Sequence, residues 1–330
     1  MLRILHDTNY DFIRWWKVMA AITIAFIVLG LGSLAIKPLN LSIEFTGGTL
    51  MQLEFTQPPD VGQIRSTLDA AGVHGAEIQQ FGTNREFTVR AQDPAQVAAQ
   101  SKGAESIATT IARVLKQKFG ENNLKVVRTE GVGPRVGDEL KRGAIIAILL
   151  SFLITLVYLS IRFEWRFATA AVIATSHDVF TTIAFLKLMH LEISLTVVAG
   201  LLTVLGYSLN DTIIIFDRVR ENLRKGRKET LYETLNRSIN ETLPRSILTH
   251  ATVLAATLSL LFFAGEVIRP FAWVMAFGII TGTFSSIYVA APVLLWIERK
   301  WPRQTGARQK TSSTATPTSQ TRRSTATATR

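Results

Sequence analysis

Apolar and polar positions along this chain follow two rhythms. The longer one is a set of nearly unbroken apolar runs, at residues 18–36, 140–161, 167–188, 193–216, 244–264 and 271–296, each bounded by charge. A helix of about twenty apolar residues is long enough to cross a hydrocarbon core ~30 Å thick. The pattern predicts six transmembrane helices. The first run is long for a signal peptide and no small-residue cleavage pattern follows it, so it reads as an uncleaved helix.

The shorter rhythm fills the polar block at 38–138. After Gly47-Gly48, Met51, Leu53 and Phe55 alternate with Gln52 and Glu54, the period of a half-buried strand. A helical pattern at 60–71 ends at Gly72. Strand candidates follow at 76–81 and 86–90, then a helix to Phe119 with Ile107, Ile111, Val114 and Leu115 on one face, and a last strand at 124–128. The order β-α-β-β-α-β predicts a ferredoxin-like α+β domain. His74 lies in its turn without a partner and reads as a surface residue.

The predicted layout is an N-terminal arm at 1–17, helix one at 18–37, the α+β domain at 38–138, helices two to six at 139–298 and a low-complexity, disordered basic tail at 299–330. Lys and Arg are dense in the arm, the 162–166 turn, the 217–243 stretch and the tail. The links at 187–192 and 265–270 carry one each. The positive-inside rule then predicts cytoplasmic termini and an α+β domain outside, in the periplasm of a bacterium.

The net charge of +11 is more than half tail, and the other basic residues flank apolar runs. This argues for membrane orientation and against nucleic-acid binding. There are no cysteines, which excludes disulfides and thiolate chemistry. No Walker, HExxH or GxSxG pattern occurs, so neither an ATPase nor a hydrolase is predicted, and no cofactor is expected.

Ionisable residues at bilayer depth are expensive and mark function by default. Thr203, Gly206, Tyr207, Asn210 and Asp211 recur at helical spacing in the fourth run and predict one stripe. His177-Asp178 lies mid-way along the third, with Thr175 and Thr182 on the face of Asp178. Arg245, Thr249 and Thr252 share a face of the fifth, beside His250. These groups predict a proton path: Asp211 takes up and releases the proton, Arg245 is its counter-charge, and Asp178 and His177 are relay sites. The competing reading is that buried acids and hydroxyls only hold helices together. Gly278, Gly282, Ser286 and Ala290 repeat every fourth residue in the sixth run and predict close helix packing.

The segment GYSLNDTIIIFDRVREN at 206–222 resembles the fourth-helix signature of SecF-type proteins, of the SecD/SecF protein-export family within the resistance-nodulation-division (RND) superfamily. EFTGGT after helix one, VGPRVGDEL before helix two, RFEWRFA and HDV in helix three, SINETLPRSILT into helix five and GTFSSIYVAAP in helix six match in register. Two positions depart: Glu44 stands where Asp is usual, and His250 where a small hydroxyl residue is common. The resemblance implies a six-helix half of a twelve-helix transporter in the bacterial cytoplasmic membrane. Its other half would be SecD and its channel SecYEG. It would use the proton motive force to promote preprotein translocation, with Asp211, Arg245 and the adjacent Asn210 in the proton path. The rivals are an RND-type proton-coupled exporter of a small or lipidic substrate, an assembly factor whose buried charges are only glue and, more weakly, an intramembrane enzyme.

Overall fold

A computed structural model of the chain describes residues 8–91, 103–225, 229–265 and 267–302. The sequence expectations for Arg3, Arg227, Lys228 and the tail from residue 303 onward lie outside these. Ten helices are named here in chain order: α1 (Trp16–Gly32), α2 (Ile43–Thr46), α3 (Val61–Ala70), α4 (Gly103–Phe119), α5 (Pro134–Arg162), α6 (Trp165–Leu188), α7 (Leu195–Arg224), α8 (Leu231–Phe263), α9 (Arg269–Ser285) and α10 (Ala291–Lys300). One turn of π helix, Ser286–Ala290, joins α9 to α10. The strands are β1 (Gly48–Phe55), β2 (Glu77–Gln80), β3 (Glu86–Ala91) and β4 (Leu124–Val132).

Among the described residues, six helical stretches are long and apolar enough to cross a membrane: α1 with its flanking turns, α5, α6, α7, α8, and α9 through α10. They bury their residues unequally. The most apolar windows of α1 and α5 are 6% buried, while those of α6, α7 and the last stretch are 56%, 56% and 67% buried. The first two therefore lie at the periphery, and the polar side chains gather among the others.

The four strands form one antiparallel sheet in the order β2-β3-β1-β4, the ferredoxin-like arrangement expected from element order. The alternation in β1 works as read: Met51, Leu53 and Phe55 are buried against Ile64 and Leu68 of α3 and Ile111 and Leu115 of α4. Gly47 and Gly48 take φ values of 72° and 121°, a region closed to most side chains, and so turn the chain from α2 into β1.

Stitches tie this domain to the helices. Leu41 forms a parallel bridge with Ile193, and Ser42 and Asn40 exchange backbone hydrogen bonds with Ile193 on the link before α7. The Glu44 carboxylate accepts the Leu195 backbone N–H at 2.6 Å, capping the start of α7. Arg90 of β3 reaches Glu192 at 2.5 Å and the Leu41 carbonyl at 3.2 Å. Lys187 donates to the carbonyls of Lys37 and Pro38.

The helix boundaries correct the sequence reading in one region. The fifth membrane helix was expected to start near Pro244, after a separate charged stretch. Instead α7 continues to Arg224, and α8 starts at Leu231 and runs through Pro244. A capping box starts α8, with Thr230 and Glu233 each satisfying the other's backbone N–H. The charges of 217–243 pair across the two extensions. Arg218 binds Glu241 at 2.5 Å, and Asn222 reaches Ser238 and Glu241. The arm is strapped to the same extension, with Asp11 accepting from Tyr232 and Asn236, each at 2.6 Å.

Candidate functional site

Close packing comes first. A Cβ at Gly278 of α9 would overlap the Val204 side chain of α7, and one at Gly282 would lie 3.2 Å from the Cβ of Ser208. These two glycines let α9 lie directly on α7, as the every-fourth-residue pattern predicts. Where the helices meet, two carboxylates are buried: Asp178 of α6, at 0% exposure, and Asp211 of α7, at 2%.

Each carboxylate is held by hydroxyls from other helices. On Asp211, Oδ1 accepts from Ser246 of α8 and Oδ2 accepts from Ser286 at 2.8 Å. On Asp178, Oδ2 accepts from Ser208 of α7 and from Ser285 of α9 at 2.6 Å. Oδ1 of Asp178 lies 3.0 Å from Nδ1 of His177, whose Nε2 makes no hydrogen bond among the described residues. Neither acid has a Lys or Arg ion-pair partner among the described residues.

Consecutive serines thus hold different acids, and they stand where the α helix widens into the π turn. π turns inside α helices are rare and concentrate at functional sites. One helical turn away, Thr283 contacts Nδ1 of His250 at 2.9 Å. The His250 ring packs edge-on to Tyr207 at 5.3 Å, and the Tyr207 hydroxyl donates to the Thr249 carbonyl at 3.3 Å. His250 therefore makes the interhelical bond that its position allows.

The structure corrects two expectations. Asp211 is not paired with Arg245. Ser246, one residue on, faces the acid. Arg245 is exposed and lines a cavity of about 610 Å³ with Arg162, Asp217 and Glu241. Neighbours on a helix differ by about 100° in direction, and this offset decides the contact. The predicted stripe on α7 also divides into two faces. Asp211 is buried, while Thr203, Gly206 and Asn210 are exposed on a face turned about 100° from it. Thr249 donates to the Arg245 carbonyl and does not touch Asp211. Thr175 and Thr182 are buried as expected, but their hydroxyls bond carbonyls of their own helix.

Four contributors escaped the sequence reading: Ser208, Ser246, Ser285 and Ser286. Ser286 had been read as one small residue in a packing stripe. The only signal was its doubling with Ser285 on a helix that also carries the two glycines. Among the described residues, no cluster of three His, Asp or Glu is placed to hold a metal ion.

The chain matches two family models, "Protein export membrane protein SecD/SecF, C-terminal" over residues 111–300 and "SecD/SecF GG Motif" over residues 32–59. A protein translocase subunit SecF from Gemmatimonas aurantiaca is 63% identical over 305 residues, covering 92% of this chain and 91% of that one. The corresponding subunit from Vibrio alginolyticus is 42% identical over 289 residues, covering 88% and 90%. The crystal structure of SecDF from Thermus thermophilus, a translocon-associated membrane protein, superposes with a TM-score of 0.80 at 34% identity. That match covers 91% of this chain and 40% of the SecDF chain.

Proposed function

The chain belongs to the SecD/SecF family of protein export membrane proteins, and we propose that it works as the SecF-type half of a proton-driven auxiliary translocase. It is a multi-pass membrane protein by its helices and its relatives. In this reading its partners are a SecD half, the SecYEG channel and the translocating preprotein. It resides in the bacterial cytoplasmic membrane with both termini in the cytoplasm and the α+β domain in the periplasm. It is a transport subunit and not an enzyme, with the proton as its coupling ion and no cofactor.

One observation carries the proton reading: two carboxylates at the centre of the helix bundle, each held by hydroxyl groups, with no Lys or Arg counter-charge among the described residues. An uncompensated charge away from water is expensive. A hydroxyl tolerates both forms of an acid, donating to the carboxylate and accepting from the carboxylic acid. The cage suits a group that changes its protonation while its neighbours stay in place. Asp211 is the primary proton site, and Asp178 with His177 is the second.

The outward face supports the partner. Thr203, Gly206 and Asn210 of α7 and Arg245, Thr252 and Ser259 of α8 are exposed. Amide and guanidinium groups at bilayer depth need a protein or water neighbour. Transporter sites lie between homologous halves, and this face is where a second six-helix unit fits. Arg245 and Asn210 then act at the joint between halves, with Thr249 behind them.

Asp211→Asn tests the reading. In membrane vesicles containing the full translocase, the variant is expected to lose proton-driven stimulation of export and the accompanying proton flux, while ATP-driven export persists. Undiminished stimulation and flux would remove Asp211 from the mechanism.

A further inference from the structure

Ser285 and Ser286 each face two acceptors. The Ser286 hydroxyl lies 2.8 Å from Oδ2 of Asp211 and 2.9 Å from the carbonyl of Thr283, in the preceding turn of its own helix. The Ser285 hydroxyl lies 2.6 Å from Oδ2 of Asp178 and 3.2 Å from the carbonyl of Gly282. A hydroxyl has one proton to donate and two lone pairs to accept with. It cannot serve the carboxylate and the carbonyl equally at once.

The choice is set by the acid. When Asp211 is a carboxylate it can only accept, and Ser286 donates to it. When Asp211 takes up a proton from water, the new O–H becomes a donor. The serine oxygen accepts it, and the serine's own proton turns to the Thr283 carbonyl. No proton leaves the serine. One proton has arrived, and one hydrogen bond to the helix backbone has been gained. The same count applies to Ser285, Asp178 and Gly282.

Both serines stand at the boundary between α9 and the π turn, where backbone bonding changes width. A hydroxyl that donates to the carbonyl of the preceding turn competes for that backbone acceptor and bends helices. The Thr283 carbonyl belongs to the residue whose side chain touches His250. We infer that Ser285 and Ser286 are positioning residues that translate the charge of the two buried acids into the backbone hydrogen bonding of the α9–π junction. The inference deepens the proton-site reading and rests on it.

Other titratable groups surround the pair. They are Asp178 and His177 on α6, Tyr207 on α7 and His250 on α8, with Tyr288 two residues along the π turn and Arg245 on the exposed face of α8. The test therefore isolates the serine–acid contact. Ser286→Ala and Ser286→Thr are made in the full translocase. The infrared carboxylic-acid stretch of Asp211, assigned by its loss in Asp211→Asn, is followed beside the pH profile of proton-driven export.

Ser286→Ala is expected to shift the stretch and to move the profile midpoint upward by about one pH unit, the scale of one lost hydrogen bond to a charged group. Ser286→Thr, which keeps the hydroxyl, restores both. A stretch and midpoint unchanged in Ser286→Ala overturn the inference while leaving Asp211 as the proton site. Equal loss of activity in both variants at every pH, with the stretch unmoved, makes Ser286 a packing residue and overturns it as well. Where Ser286→Ala does not assemble, Ser285→Ala read on the Asp178 stretch, assigned by Asp178→Asn, decides in the same way. Proton-driven export surviving Asp211→Asn fails the underlying reading instead.

Discussion

A charged residue in this protein behaves according to which side of its helix it occupies, and the offset of a single residue separates Arg245 from Ser246. The sequence pattern points to Arg245 as the partner of Asp211 and passes over Ser246. Only the direction from which α8 meets α7 selects the serine, and helical spacing does not encode that direction. Outside the membrane the contacts have consequences that a titration reads. Burial holds the Glu192 carboxyl above its ordinary value of 4.5, more than the adjacent Arg90 lowers it, with Glu44, Glu77 and Glu130 pushing the same way. The folded protein then binds this proton more tightly than the unfolded chain. The contribution of Glu192 to stability is fully present in acid and is lost as pH rises through its folded value. Glu192→Gln removes the linkage. The thermal midpoint of the parent minus that of the variant is expected to grow as pH falls from neutral towards 4.5; a constant difference across that range would refute the assignment. Asp11 has the opposite sign. The Tyr232 hydroxyl chiefly holds its carboxyl below the usual range, so its grip on α8 persists at neutral pH and weakens only in strong acid.

At the scale of elements, the two glycines of α9 set how near it lies to α7. Gly278→Leu drives a side chain into Val204 and is expected to destabilise the protein by about 1–3 kcal/mol or more, seen as a lower melting temperature in detergent. Gly206→Ala is the control. A Cβ there meets nothing within 4 Å, so the isolated chain is expected to melt almost unchanged. This packing was readable from GTFSS and the residues before it, because small residues every fourth position have few other uses in a membrane helix. The same stripe hid the second use of Ser286. The π turn left no trace either, since 286–290 contains no Gly or Pro to announce a change of helix. The run-through at Pro244 was obscured for another reason. Proline commonly starts helices, but here Thr230 and Glu233 had already started this one.

For the whole molecule, element order and hydropathy were enough to give the ferredoxin-like sheet and the six long helices, since both follow from local periodicity. The division into a buried acid-bearing core and an exposed polar face was not readable, because it depends on how the helices are arranged around one another. That exposed face yields a test. Cysteine at Asn210 is expected to form a disulfide with cysteines on the facing helix of a homologous half in native membranes, and cysteine at Phe180, exposed on α6, is expected not to. Equal cross-linking from both would place the joint elsewhere. The stitch at the start of α7 has a mechanical consequence. Asp211 lies sixteen residues from Leu195 along one unbroken helix, a rigid arm of about 24 Å. Tilting that arm by about 5° at the acid swings its far end by about 2 Å, simple leverage on a helical rise. The hydrogen bond from Leu195 to Glu44, 2.6 Å long, does not survive such a stretch. Any rocking of α7 therefore either drags the α+β domain with it or unhooks it, and Glu44 is the catch that decides which.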